Sequence, residues 1–295
     1  MGSKQIFVFG ATGFVGRNLL AGLRGRGYQI ICLVRDERGA ELVRGLGGES
    51  AIGDVRKPET CRRAIPPEST VVYLIHLMAT PPWRGDFRTL DRQSALIMTR
   101  TCREAGIGRI IHISGLFNPV ENLSRHLASR AEVCRIIHSS GIPATILRAS
   151  IIFGPGSASY ELLKAALKPP IVPLPPWRDT QVQPVAIQDV IRCLRVAIER
   201  QDLAGRVLDI GGPKIYTYGE LLRRFAASLG LGRKFFNTPF EARPLAALLL
   251  SKLSGVGVGE TYALLESLWN TSVVPSENAI KAVFGFWPTS VFRFH

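Results

Sequence analysis

An α/β fold, a doubly wound parallel sheet with a small C-terminal α/β lobe, is what this 295-residue sequence predicts, and three observations predict it. Runs that are apolar on both faces recur at Ile6–Phe9, Ile30–Val34, Val71–Leu77, Arg109–Ile113 and Ala144–Leu147, as strands covered by helices on both sides require. Stretches of helical length separate these runs, and that alternation demands right-handed parallel crossovers. The first run ends at a glycine turn, Gly10-Ala11-Thr12-Gly13-Phe14-Val15-Gly16, which opens a helix.

That turn is where the chemistry starts. Gly10, Gly13 and Gly16 let the chain bend sharply, bring bare backbone N–H groups up to a pyrophosphate, and pack the helix tightly on the strand. The pyrophosphate would sit at the positive end of the helix. The spacing G-x-x-G-x-x-G is one residue longer than the general dinucleotide fingerprint, and the alternative is a turn that holds nothing. With the strand before it and the helix after it, the turn predicts a Rossmann-type NAD(P)-binding core over residues 1–150.

The second strand ends in Arg35-Asp36, the place that selects the cofactor. Arg35 can pair with a 2′-phosphate and so favours NADP(H), while Asp36 beside it leaves NAD(H) open. A third unit brings Asp54 and Val55 and a helix over 59–65. The fourth strand exits through His76 and Leu77, which should pass near the nicotinamide ribose, His76 in a positional and not a catalytic role. A helix over 86–105, a strand leading to Ser114-Gly115, a helix over 124–139 and a strand over 144–147 complete the core.

Beyond Arg148 the texture changes. Prolines crowd 168–184, a helix follows Asp189, and 206–210 and 218–229 read as strand and helix. Residues 151–295 therefore form a lobe that faces substrate or partner, interleaved with the core and not independent of it. Trp177, Arg178 and Gln183 are candidates for the pocket wall.

The net charge of +14 is spread along the chain, without a basic block or a basic and aromatic stripe, so no nucleic-acid partner is expected. Five scattered cysteines without a CxxC pair predict reduced packing residues in a cytoplasmic protein, and no metal site. The first strand starts within a few residues of Met1, so no cleavable leader is expected, and the most apolar tail segment, Pro244–Gly259, is too short and too broken by glycine to span a bilayer. Arginines and lysines among Phe235-Phe236 and Leu245–Leu250 fit an anionic membrane surface, a partner subunit, or a helix covering the protein's own core.

Spaced segments through residue 230 together resemble the atypical and extended short-chain dehydrogenase/reductase (SDR) proteins: the glycine turn, Gly53-Asp54-Val55, Ser114, Leu147-Arg148-Ala149-Ser150, Phe153-Gly154-Pro155-Gly156, Gln183-Pro184-Val185 with Asp189-Val190, and Gly211-Gly212-Pro213. The pattern is most similar to the NAD(P)-binding, NmrA-like group related to the NADPH-binding accessory subunit of respiratory complex I. The resemblance implies that Gly10, Thr12, Gly13, Phe14, Val15 and Gly16 hold the nicotinamide dinucleotide, and that Asp54 and Val55 line its adenine pocket. It also implies a respiratory-complex partner. Active members add a Tyr-x-x-x-Lys pair on the helix after the serine, and here Ser114 is followed by His126 and Arg130 at that spacing. His126 can donate a proton and Arg130 can grip ribose hydroxyls, but an adjacent guanidinium should keep the imidazole neutral. Two functions follow: a protein that holds NAD(P)H in a structural or sensing role, within a larger complex, or an NADPH-dependent reductase or isomerase of a small hydrophobic carbonyl or enone.

Overall fold

The computed structural model describes residues 4–78, 86–118, 120–275 and 277–293. The core alternates β1 (Lys4–Phe9), α1 (Phe14–Leu23), β2 (Tyr28–Val34), α2 (Glu37–Gly45), β3 (Glu49–Ile52), α3 (Pro58–Ala64), β4 (Thr70–Tyr73), α4 (Phe87–Glu104), β5 (Arg109–Gly115), α5 (Arg125–His138) and β6 (Ala144–Ala149). The rest of the chain adds β7 (Ile152–Phe153), α6 (Ala158–Ala166), β8 (Ile171–Leu174), β9 (Gln181–Val182), β10 (Val185–Ala186), α7 (Ile187–Glu199), β11 (Val207–Ile210), β12 (Tyr216–Thr217), α8 (Tyr218–Ser228), β13 (Lys234–Asn237), α9 (Arg243–Ser254), α10 (Val258–Ser267) and α11 (Ala279–Ala282).

Seven strands form one sheet in the order β11-β6-β5-β4-β1-β2-β3, and every neighbouring pair is parallel. The apolar runs now have their reason. On β1, Ile6 and Val8 face a core built with Leu19 and Leu20 of α1 and Val190 and Leu194 of α7. Phe7 and Phe9 face the opposite core, with Met98 and Cys102 of α4 and Ile137 of α5. A strand buried on both sides has no use for a polar residue.

Helix starts follow local chemistry. Asp86, Ser124 and Ser157 each accept a hydrogen bond from the backbone N–H three residues on, opening α4, α5 and α6. Thr217 and Glu220 form a full capping box on α8. The lobe has a core of its own around Phe153, Tyr160, Trp177, Tyr218 and Phe225, in which Phe153, Tyr160 and Phe225 contact one another edge-on or tilted.

The fourth strand is shorter than predicted. It ends at Tyr73, and although the Leu74 N–H still bonds the Phe9 carbonyl, the chain over 74–78 leaves the sheet. Its next polar groups are taken by Asp91 of α4, which bonds the Leu77 N–H at 2.8 Å and the His76 ring at 2.7 Å.

His112 lies inside β5, fully buried, with Nδ1 2.8 Å from the Tyr73 carbonyl. Burial and the nearby Arg130 cation push its pKa down to about 3. The unfolded chain takes up this proton near pH 6.5 and the folded chain does not, so His112 withdraws stability as pH falls from about 6.5 toward 3, by roughly 5 kcal/mol at the acid end. His112→Gln removes that titration, and urea unfolding at stepped pH should show a dependence between pH 6 and 4 flatter by about 1.4 kcal/mol per pH unit. An unchanged slope would assign the acid sensitivity elsewhere.

Candidate functional site

The strand order reverses between β1 and β4, where the first crossover runs outward to β2 and a later one outward to β5. A crevice opens at the carboxyl ends of strands at such a point, and it is the ligand position of doubly wound sheets. The glycine turn forms its floor. Gly10 has φ +85°, and a Cβ there would lie 3.0 Å from the Leu74 backbone carbon. A Cβ on Gly16 would lie 2.3 Å from the Gly10 carbonyl oxygen, so only glycine lets α1 come this close to the strand it follows. Gly13 is the N-cap of α1 and supplies no side-chain cap, which leaves the first N–H groups of the helix facing the crevice for a phosphate. Thr12 is exposed at the turn, Val15 lines the crevice wall, and Phe14 packs toward Gly154 and Gly156. This backbone cradle fits a dinucleotide.

Arg35 is exposed at the end of β2 and close enough to Asp54 to lower its pKa. Asp36, the residue that left NAD(H) open, is engaged elsewhere, because its carboxylate caps α2, accepting from the Gly39 N–H at 2.8 Å. Asp54 is also committed. Its two oxygens take the Arg56 guanidinium in a fork, with contacts down to 2.5 Å, and one of them accepts the Arg56 backbone N–H. That pairing is the first cause of its lowered pKa. Val55 beside it is buried.

At the other end of the crevice, His76, Ser114, His126 and Arg130 come together around one cavity. Asp91, which the sequence gives no local reason to single out, organises them. It is buried in α4, contacts His76 Nδ1, and accepts from Leu77 N–H and from Ser129 Oγ at 3.0 Å. Burial raises its pKa, but the His76 and Leu77 hydrogen bonds and the charge of Arg130 outweigh burial and leave it lowered. The rings of His76 and His126 lie 4.9 Å apart. His76 Nε2 and His126 Nδ1 are buried without a hydrogen-bond partner among the described residues. Burial lowers the pKa of His76, with Arg130 adding to the effect and Asp91 opposing it. Burial, His76 and Arg130 hold His126 well below its ordinary value. Burial is the first cause of that lowering, and the guanidinium adds to it.

Arg130 reaches the site at the predicted spacing, but its guanidinium donates to the carbonyls of Ile75 and Ile113, tying α5 to the loop after β4 and to β5. Ser114 is buried, and its hydroxyl donates to the Arg130 carbonyl at 3.4 Å. Of the three candidates for the pocket wall, Trp177 lines the cavity. Gln183 instead ties Gly212 to Val274, and Arg178 donates to the carbonyls of Leu174 and Thr238. Among the described residues, no three His, Cys, Asp or Glu side chains gather as a metal site would need.

The cavity measures about 660 Å³, within the usual range of ligand sites. From the histidines it runs between α6, α9 and α10, and its wall there is mainly aliphatic, with Trp177, Tyr218 and Phe240 and with polar groups of Glu241, Ser267, Asn270 and Ser272 interspersed. Sequence reading missed it, because segments scattered from Val15 to Ser272 build it.

Known proteins agree with this geometry. The chain is 26% identical over 289 residues to the ceramide reductase of Caulobacter vibrioides, covering 95% of this chain and 90% of that protein. It is 27% identical to the mouse mitochondrial NADH dehydrogenase [ubiquinone] 1 alpha subcomplex subunit 9, covering 96% of this chain and 76% of the subunit. Among solved structures, the NADP(H) complex of Citrobacter triphenylmethane reductase superposes with a TM-score of 0.78 at 18% identity, covering 98% of each chain. The model of the NAD(P)H-binding family matches residues 10–169, more than half of the sequence and the whole span from the glycine cradle through α6, so the chain is a member of that family, an atypical SDR protein.

Proposed function

We propose that the protein is an NADPH-dependent reductase of a hydrophobic carbonyl compound. The observation that carries this reading is the apolar cavity whose closed end is the His76, Ser114 and His126 cluster beside the cofactor crevice. Ceramide reductase, similar over nearly the full length of both chains, adds support. NADPH, when bound, supplies the hydride; the carbonyl oxygen then needs a proton. His76 is the proton carrier: Asp91 fixes its ring through Nδ1 and leaves Nε2 without an acceptor among the described residues. In the reducing direction the ring must first be protonated and then gives up that proton at Nε2, forming the alcohol. His126, 4.9 Å away, lies where it can pass the proton on. Ser114 and the aliphatic wall orient the carbonyl and exclude water, and Gly10, Gly13, Gly16 and Arg35 hold the dinucleotide.

A second reading has its own observation. The Arg130 guanidinium, at the place where active relatives carry lysine, is committed to two main-chain carbonyls and braces the fold. On this reading the cofactor is retained as a structural or sensing ligand within a larger assembly, as the similarity to the complex I subunit supports. Either way we place the protein in the cytoplasm and at most peripheral to a membrane. Five buried cysteines, none in a disulfide, support that placement, and no helix among the described residues is long and apolar enough to cross a bilayer.

Two measurements test the site. Arg35→Ser should raise the Kd for NADPH about 10- to 100-fold while leaving the Kd for NADH nearly unchanged, as loss of a charge-assisted phosphate contact requires. Equal weakening of both cofactors would remove Arg35 from selection. For chemistry, anaerobic mixing of the NADPH-loaded protein with an apolar ketone should oxidise the cofactor, and His76→Gln should slow this by about 10²- to 10⁴-fold with little change in NADPH affinity. Because the folded pKa of His76 lies below its ordinary value, reduction should accelerate as pH falls below neutrality, and alcohol oxidation should slow. Inert retention of NADPH across a ketone series would leave the structural reading standing.

A further inference from the structure

We propose that the cavity takes the long hydrocarbon chain of a lipid, and that the chain enters sideways from an anionic bilayer on which the α9 face rests. This rests on the reductase reading for the chemistry at the inner end, and on separate observations for the chain and the bilayer.

The first observation is that one stripe of α9 is both cavity wall and outer surface. Leu245, Leu249 and Leu253 follow one another at four-residue spacing, all three line the cavity, and they are 57%, 52% and 40% exposed. Of the whole helix only Ala247 is buried. A helix covering a closed core would turn its leucines inward and out of contact with water. Here the leucines form the lip of an opening, with exposed Phe240 lining the cavity beside them. A contiguous apolar lip of this kind marks a surface made to meet another apolar phase.

The second observation concerns charge beside that lip. The Lys168 ammonium donates to the Leu253 carbonyl at 2.7 Å, at the C-terminal end of α9. Arg233 donates to the Leu167 carbonyl at 2.6 Å, and the Lys234 N–H to the Pro170 carbonyl at 3.0 Å, so both basic residues border the same segment. Lys252 belongs to α9 itself. None of these four cations has a carboxylate within ion-pair distance among the described residues. Leucines at the lip with cations at its edge that no carboxylate among the described residues neutralises match the two layers of a bilayer surface, acyl chains below and anionic headgroups above. A second protein would have to supply an apolar and an acidic surface in the same arrangement.

The third observation is continuity. One cavity holds both this lip and the His76 and Ser114 cluster, and Leu127, Leu249, Leu250, Leu264 and Leu268 contribute to its wall, with polar groups such as Ser267 and Asn270 among them. A lipid whose carbonyl lies at the histidines would keep its chain in protein or in bilayer throughout, and never in water.

The test separates chain binding, bilayer contact and turnover. Displacement of a fluorescent fatty-acid probe from the NADPH-loaded protein by 2-alkanones of increasing length should tighten roughly fourfold per methylene until the cavity is filled. No dependence on length would overturn the proposal. Sedimentation with phosphatidylglycerol-containing vesicles should carry down at least ten times more protein than sedimentation with phosphatidylcholine vesicles. The pair Lys234→Glu and Lys252→Glu should abolish that preference, and the pair Leu249→Asp and Leu253→Asp should abolish both vesicle binding and chain-length dependence, with NADPH affinity retained as the check on folding. Equal recovery with the two lipids, or a stable dimer in solution whose formation the leucine variants abolish, would overturn it, the dimer by assigning the lip to a second copy. If length dependence and vesicle binding appear without NADPH oxidation, the reductase reading fails and the portal stands.

Discussion

The buried carboxylate of Asp91 is the constraint on which the site depends. A charge removed from water needs partners, and Asp91 finds them on the loop after β4, through His76 and Leu77, and on α5, through Ser129. In satisfying one anion the fold brings three elements to a common point. Arg130 completes the arrangement by bonding the Ile75 carbonyl in the loop after β4 and the Ile113 carbonyl of β5. The position of the histidines thus follows from satisfying a buried polar group, and their lowered basicity follows from the same burial.

The two ends of the crevice are built by opposite means. At the glycine turn the protein offers few side chains: Gly10 and Gly16 clear space, and Gly13 caps α1 without a side chain. Around His76 and Ser114, packed side chains shape the space, and elements that lie far along the sequence wall it. A Cβ at Gly10 or Gly16 would collide with backbone, which cannot give way, whereas a changed side chain in the cavity wall meets other side chains.

The same division governs how much was legible in the sequence. The sheet and the glycine turn could be read because strand alternation, the Gly10 to Gly16 spacing and the apolar runs are local patterns set by backbone geometry. His126 and Arg130 could be read from spacing on a single helix. Asp91 could not, since it sits among polar residues of α4 and acquires its meaning only when the loop after β4 folds back against it. The roles of Asp36 and Asp54 were also hidden, because capping α2 and pairing with Arg56 depend on which backbone groups the fold leaves free. The cavity was least visible: leucines of α9 read the same whether they cover a core or frame an opening.

The order of the strands also bears on how the chain reaches this state. β6 is the last strand of the N-terminal half, and its outer edge is covered by β11, which pairs Val207 through Ile210 with Ile146 through Ala149. Arg148 and Asp209 lock the two strands side by side through a forked ion pair. Some sixty residues of lobe must therefore leave the ribosome between a strand and its neighbour. Until β11 docks the free edge of the sheet is the six-residue β6; afterwards the edge passes to β11, which at four residues is a shorter template for pairing with another chain.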